Sequence, residues 1–113
     1  MHELSIMEGA LSLAMEQARA AGAGKILSLR LRVGALSGVV PDALTFAFEA
    51  LSAGTPAEGG QLIIEAVPAQ FWCESCGRAF EADALNAICP ACGKHSSDLR
   101  SGQELQVVSM EVE

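Results

Sequence analysis

Basic residues are scarce in this chain: 7 Lys and Arg stand against 14 Asp and Glu in 113 residues, a formal net charge of −7. They are spread along the sequence and form no basic run. Affinity for nucleic acid depends largely on neutralising phosphates with Lys and Arg, so a nucleic-acid binder is not expected. No apolar run approaches the roughly 20 residues a membrane-spanning helix needs. No basic segment followed by an apolar stretch opens the chain, so an export signal is not expected and a cytoplasmic protein is. Nothing resembles a hydrolase triad, a phosphate-cradling loop or a pair of catalytic carboxylates, and the chain does not read as an enzyme.

What is present is a small globular protein. A hydrophobic fraction of 50% and a charged fraction of 19% suit a folded chain. A single small domain of this length buries a limited share of its surface, so a metal staple would supplement its core. From Leu4 to Ala21, the residues Leu4, Met7, Leu11, Ala14, Met15 and Ala18 recur at helical spacing. Ser5 and Glu8 form an S-x-x-E pair, which predicts a helix starting just after Ser5. Met1, His2 and Glu3 would then precede the helix, and Gly22 and Gly24 would end it.

Next, Leu27, Leu29, Leu31 and Val33 alternate with polar residues, a half-buried strand. After GALSGVV, Pro41 suits the first position of a second helix, with Leu44, Phe48 and Leu51 on its apolar face and Phe46 and Ala47 widening it. QLIIEAV and the closing ELQVVSMEVE read as further strands. The resulting expectation is an α+β fold. Two helices pack on a three-stranded mixed sheet, and a four-cysteine zinc-ribbon module is inserted before the last strand. Residues 1–68, completed by 103–113, would form one domain and residues 69–102 the other.

All 4 cysteines lie in that insertion, as CESCGRAFEADALNAICPACG. Cys73 and Cys76 form one C-x-x-C pair and Cys89 and Cys92 the other, each followed by a glycine, Gly77 and Gly93. In a zinc knuckle the chain turns sharply, a glycine takes the left-handed conformation without steric cost, and nearby backbone N–H groups face the sulfurs. Two knuckles make a closed, tetrahedral, structural Zn(II) site. Neither pair has the βαβ setting of a thioredoxin-like redox motif. Phe71, Trp72 and Phe80 are expected to form the module's own core.

The N-terminus, MHELS, raises a second metal question. The amine of Met1, the amide between Met1 and His2 and the His2 imidazole can close adjacent chelate rings on one ion. Nitrogen donors in a flat arrangement suit Ni(II) or Cu(II) better than Zn(II). The plainer reading is that His2 is simply the second residue. The other histidine, His95, reads as a surface residue, a spare zinc ligand, or a group that reaches an N-terminal metal.

Together, MHELS, RLRVGALSGVVPDALTFAFEAL, the two C-x-x-C-G knuckles and the closing SMEVE resemble, in the same order over essentially the whole chain, the HypA/HybF family of nickel metallochaperones for [NiFe]-hydrogenase maturation. The resemblance implies a nickel site on Met1, His2 and Glu3, using the terminal amine, backbone amide nitrogen and the His2 imidazole. It implies zinc on Cys73, Cys76, Cys89 and Cys92. It also implies work with a HypB-type GTPase and delivery of nickel to the hydrogenase large subunit, some members serving urease maturation too. One departure stands out: where the family loop often reads close to G-E-L-S-G-V-E-P, this chain has Ala35 and Val40 at the two acidic positions, leaving Glu3 and Asp42 as nearby carboxylates. The competing reading is a zinc-ribbon assembly adaptor with no nickel role.

Overall fold

The computed structural model describes residues 2–84 and 86–113. Its elements run α1 (Glu3–Ala20), β1 (Ile26–Gly34), α2 (Pro41–Ser52), β2 (Gln61–Val67), β3 (Gln70–Cys73), β4 (Arg78–Glu81), β5 (Leu99–Ser101) and β6 (Leu105–Val112). Two helices accompany a three-stranded mixed sheet of order β2-β1-β6, and a second three-stranded sheet has the order β4-β3-β5. The C-terminal strand β6 therefore returns beside β1, as expected. The chain divides into two compact units. The first comprises residues up to Arg32 with Val39–Glu65 and Gln106–Glu113; the second comprises Val33–Gly38 with Ala66–Leu105.

In the first unit the buried face of α1 is Met7, Leu11, Ala14 and Ala18, the middle of the expected stripe. Leu4, at its head, is exposed. The helix begins at Glu3, with His2 as N-cap, three residues earlier than the Ser5–Glu8 pair implied. The Ile6 N–H donates to the His2 carbonyl at 3.1 Å and closes a turn the capping pattern would have left open. Ser5 and Glu8 thus stand exposed within the helix. At the other end, Gly22 at φ 75° receives the chain, while the Ala23 N–H reaches the Ala18 carbonyl and the Gly22 N–H the Arg19 carbonyl. This six-to-one and five-to-two pair of bonds satisfies carbonyls that the last turn leaves without partners.

Helix α2 starts at Pro41, whose fixed φ and missing N–H fit the first helical position. It buries Leu44, Ala47, Phe48 and Ser52. Phe46 points away, 74% exposed. In β1 the core positions are Leu29, Leu31 and Val33, while Leu27 is exposed and its neighbour Ile26 is buried instead. In β6 both Val107 and Val108 are exposed.

The second unit is organised by β3. Its side chains alternate, with Phe71 and Cys73 inward and Trp72 half-buried outward. Phe71 stacks on Phe80 with ring centroids 6.1 Å apart, and these two rings share a buried cluster with Ala69, Cys73, Ala87 and Cys89. Trp72 is not part of that core. Its one-residue offset from the inward positions puts it on the opposite face, where Arg100 lies 4.8 Å from the ring centroid. The expected module was hairpin-like; β5 adds a third strand, pairing antiparallel to β3 on the side away from β4.

Two glycines account for the GALSG stretch. The Leu36 N–H donates to the Gly102 carbonyl at 2.6 Å, and the Gly34 N–H to the Glu104 carbonyl at 2.7 Å. A Cβ on Gly34 would collide with the Gly102 carbonyl and come within 2.7 Å of the Gln103 nitrogen. Gly102 itself has φ +118°, a conformation L side chains rarely adopt.

Candidate metal centres

The four cysteines come from two turns of the second unit. Cys73 ends β3 and Cys76 lies in the β3–β4 turn, while Cys89 and Cys92 flank a turn between β4 and β5. Each turn is closed by the glycine that follows its pair. The Gly77 N–H donates to the Cys73 carbonyl and the Gly93 N–H to the Cys89 carbonyl, both at 2.8 Å. Their φ values are 67° and 76°, the left-handed conformation expected of knuckle glycines.

The knuckles bring all four Sγ atoms within 4.8 Å of one another. The Cys73–Cys92 separation is 3.6 Å and the Cys76–Cys89 separation 3.8 Å. A tetrahedron of thiolates around zinc, with bonds of about 2.3 Å, has edges of about 3.8 Å. A disulfide would need about 2.0 Å, and none of the four is bridged. Number, donor type and spacing all fit a closed zinc site. The backbone is arranged for thiolates as well: N–H groups of Cys92 and Ala91 hold the Cys89 thiol down at about 7. Hydrogen bonding to Cys89, Cys92 and Cys73 and burial push Cys76 up to about 12.

Among the described residues, this is the group of Cys, His, Asp or Glu side chains placed to hold an ion. His95 is outside it. That residue is exposed and forms an isolated antiparallel bridge with Ile88. The site's outer wall is polar: Lys94 Nζ donates to Ser75 Oγ at 2.9 Å, and Ser96 Oγ donates to the Trp72 carbonyl at 2.6 Å. Asp98 accepts two bonds from the Arg100 guanidinium, both 2.9 Å, and its carboxyl is held below its ordinary range by them. Sequence reading missed this Trp72–Arg100–Asp98 arrangement, although the near-adjacent Asp98 and Arg100 were a signal for it.

At the N-terminus, Met1 lies outside the described residues. His2 is exposed at the N-cap of α1. Glu3 occupies the first helical position, and its Oε2 accepts the Val40 N–H at 3.1 Å. The first N–H groups of a helix have no intrahelical acceptor. The amide nitrogens of His2 and Glu3 consequently remain outside the helical ladder even though the helix starts early. Val40 offers only its backbone to this region; its side chain is exposed and apolar. Asp42 is exposed in the first turn of α2.

A two-unit α+β chain with a four-thiolate cluster in one unit is a metal-binding protein. The sequence model described as hydrogenase/urease nickel incorporation, metallochaperone, hypA matches residues 1–112, and the chain belongs to that family. The hydrogenase maturation factor HypA of Picosynechococcus sp. is 46% identical over 112 residues, 99% of each chain. That of Rhizobium leguminosarum bv. viciae is 41% identical, again over 99% of each. In fold, the chain is similar to the solution structure of the Ni metallochaperone HypA from Helicobacter pylori, with TM-score 0.64 and 24% identity over 99% of this chain and 97% of that one.

Proposed function

We propose that this chain binds Ni(II) at its N-terminus and hands it, together with a HypB-type GTPase, to the large subunit of a [NiFe]-hydrogenase. The observation that carries this reading is the family match along residues 1–112 combined with an exposed His2 at the very start of α1. The donors are the Met1 amine, backbone amide nitrogen of the first residues and the His2 imidazole, with Glu3 supplying negative charge beside them. Four thiolates, on Cys73, Cys76, Cys89 and Cys92, hold a structural Zn(II). Residues 1–68 with 103–113 act as the nickel domain and 69–102 as the zinc domain, in the cytoplasm. Urease maturation proteins are further candidates for partners.

The start of a helix suits this chemistry in a specific way. An amide binds nickel only after losing its proton, and the amidate so formed sits in the positive potential of the helix N-terminus. The same potential opposes the cation, so binding is weak enough for transfer. Because metal binding releases protons, acid expels the nickel. The chain has no catalytic role; nucleotide hydrolysis belongs to the GTPase.

Transfer is the test. Nickel-loaded protein, mixed with the nickel-free large subunit and the GTPase, should pass its nickel on when GTP is present and retain it when any component is left out. Retention under every condition contradicts the proposal.

A further inference from the structure

The four cysteines are not equally sheltered. Cys73 is 4% exposed and Cys89 2%, both within the buried cluster that holds Phe71 and Phe80, and Cys76 is half-buried. Cys92 alone of the four is exposed. The local sequence explains the difference. Cys73 is an inward position of β3, whereas Cys92 closes a turn in which every residue from Pro90 to Lys94 is exposed. Its two neighbours, Ala91 and Gly93, are too small to cover a sulfur.

Accessibility separates these sulfurs chemically. On the reading of four thiolates around zinc, on which this rests, every sulfur is already deprotonated. Oxidation of a thiolate then follows its exposure and the presence of a second sulfur to complete the reaction. Cys92 meets both conditions, since solvent reaches it and the Cys73 Sγ lies 3.6 Å away. Cys73 needs no solvent access for its part, because it attacks a neighbouring sulfur rather than a dissolved oxidant. Closing a bond of about 2.0 Å draws the two sulfurs together by about 1.6 Å from their 3.6 Å separation.

We infer that Cys92 is an oxidation site, attacked first by a hydroperoxide and then joined to Cys73 in a disulfide that releases the zinc. In the first step the Cys92 thiolate gives two electrons to hydrogen peroxide: a sulfur–oxygen bond forms, the oxygen–oxygen bond breaks, and hydroxide leaves. The Cys73 thiolate next attacks the Cys92 sulfenic acid. The sulfur–sulfur bond forms, the sulfur–oxygen bond breaks, and a second hydroxide leaves. Two protons from solvent turn both hydroxides into water. Cys76 and Cys89 then remain where zinc takes four ligands. The bridge joins the two knuckles, whereas a thioredoxin-type disulfide lies within one C-x-x-C pair. A dithiol reductant returns the two electrons and restores both thiols, so zinc can bind again.

Full-length, zinc-loaded protein treated with hydrogen peroxide tests this. Zinc release is followed with a chromogenic chelator while peptide mass spectrometry locates the modified sulfurs. Dimedone, which traps sulfenic acid, should label Cys92 before any other cysteine. Without dimedone the first bridge should be Cys73–Cys92, forming together with zinc release, and dithiothreitol with added zinc should reverse both. Cys92→His keeps a four-ligand set that zinc accepts and should lose the fast phase of release; if that variant takes up no zinc, the labelling order in the native chain decides alone. First labelling at Cys73, Cys76 or Cys89, a first bridge that omits Cys73 or Cys92, or release from Cys92→His at the native rate would each overturn the inference. Protein isolated without zinc would count against the zinc site itself, and the order of labelling and bridging would still decide whether Cys92 is oxidised first.

Discussion

The backbone N–H of Val40 and the carboxylate of Glu3 meet at 3.1 Å, tying the first turn of α1 to the residue that precedes α2. One anion thereby serves two helix starts, and both are the positive ends of their macrodipoles. The Val40 N–H is the main reason the Glu3 carboxyl lies below its ordinary value of 4.5.

This bond has a definite pH dependence. A carboxyl lowered by folding contributes stability that is fully present above its unfolded value and is lost as pH falls through the folded one. Protection of the Val40 amide, relative to its intrinsic exchange rate, should therefore hold as pH drops to 4.5 and fall only below it. Glu3→Ala should remove that protection at neutral pH, whereas Glu3→Gln, which keeps an acceptor, should retain most of it. Protection that is lost well above 4.5 would show that another group holds Val40.

Two glycines with opposite environments give opposite substitutions. Gly9 lies within α1 with open space at its Cβ position, so Gly9→Ala should stabilise the protein by about 0.5–1 kcal/mol. Gly34→Ala drives a methyl into the Gly102 carbonyl and should cost about 1–3 kcal/mol or more. Urea unfolding midpoints of the two variants check both signs.

Two apolar residues of the α2 pattern, two positions apart, should separate equally clearly. Leu44 is 0% exposed and Phe46 74%. Leu44→Ala should cost about 2–5 kcal/mol through a cavity, and Phe46→Ala should stay within about 0.5 kcal/mol. Thermal or urea unfolding reads the difference, and similar losses would place Phe46 in the core.

Chelation should act on one unit only. Cys73 and Cys89 are members of the same buried cluster as Phe71 and Phe80, so withdrawing zinc leaves that cluster with thiols in place of a four-way staple. With a strong chelator, amide signals of Phe71, Phe80 and Ala87 should lose dispersion while those of Leu11, Leu29 and Leu44 keep theirs. Unchanged signals in both groups would mean the second unit folds without metal.

Much of this fold was legible because its signals are local. The apolar stripe of α1, Pro41 at the start of α2, the alternation in β1 and the two C-x-x-C-G knuckles each act over a few residues, and each element formed where its pattern lay. The errors have tertiary causes. Ser5 and Glu8 carried a good capping pattern, but the first turn closes earlier on His2, beside a carboxylate held by Val40 from 37 residues away. Trp72 looked like core by its size and faces Arg100 by its strand parity. Gly34 and Gly102 are 68 positions apart, and their need for one another could not be seen in either segment alone. The zinc ligands were readable from spacing.

The central claim rests on the first residues, and a nickel titration of the untagged, zinc-loaded protein tests it most directly. It should be run beside His2→Ala and a form with one residue added before Met1, which moves the amine away from the imidazole. The expected result is one nickel taken up by the native chain and none by either variant at the same concentration, with zinc content and fold unchanged in all three. Equal uptake by the three proteins would contradict an N-terminal site and remove His2 from the chemistry.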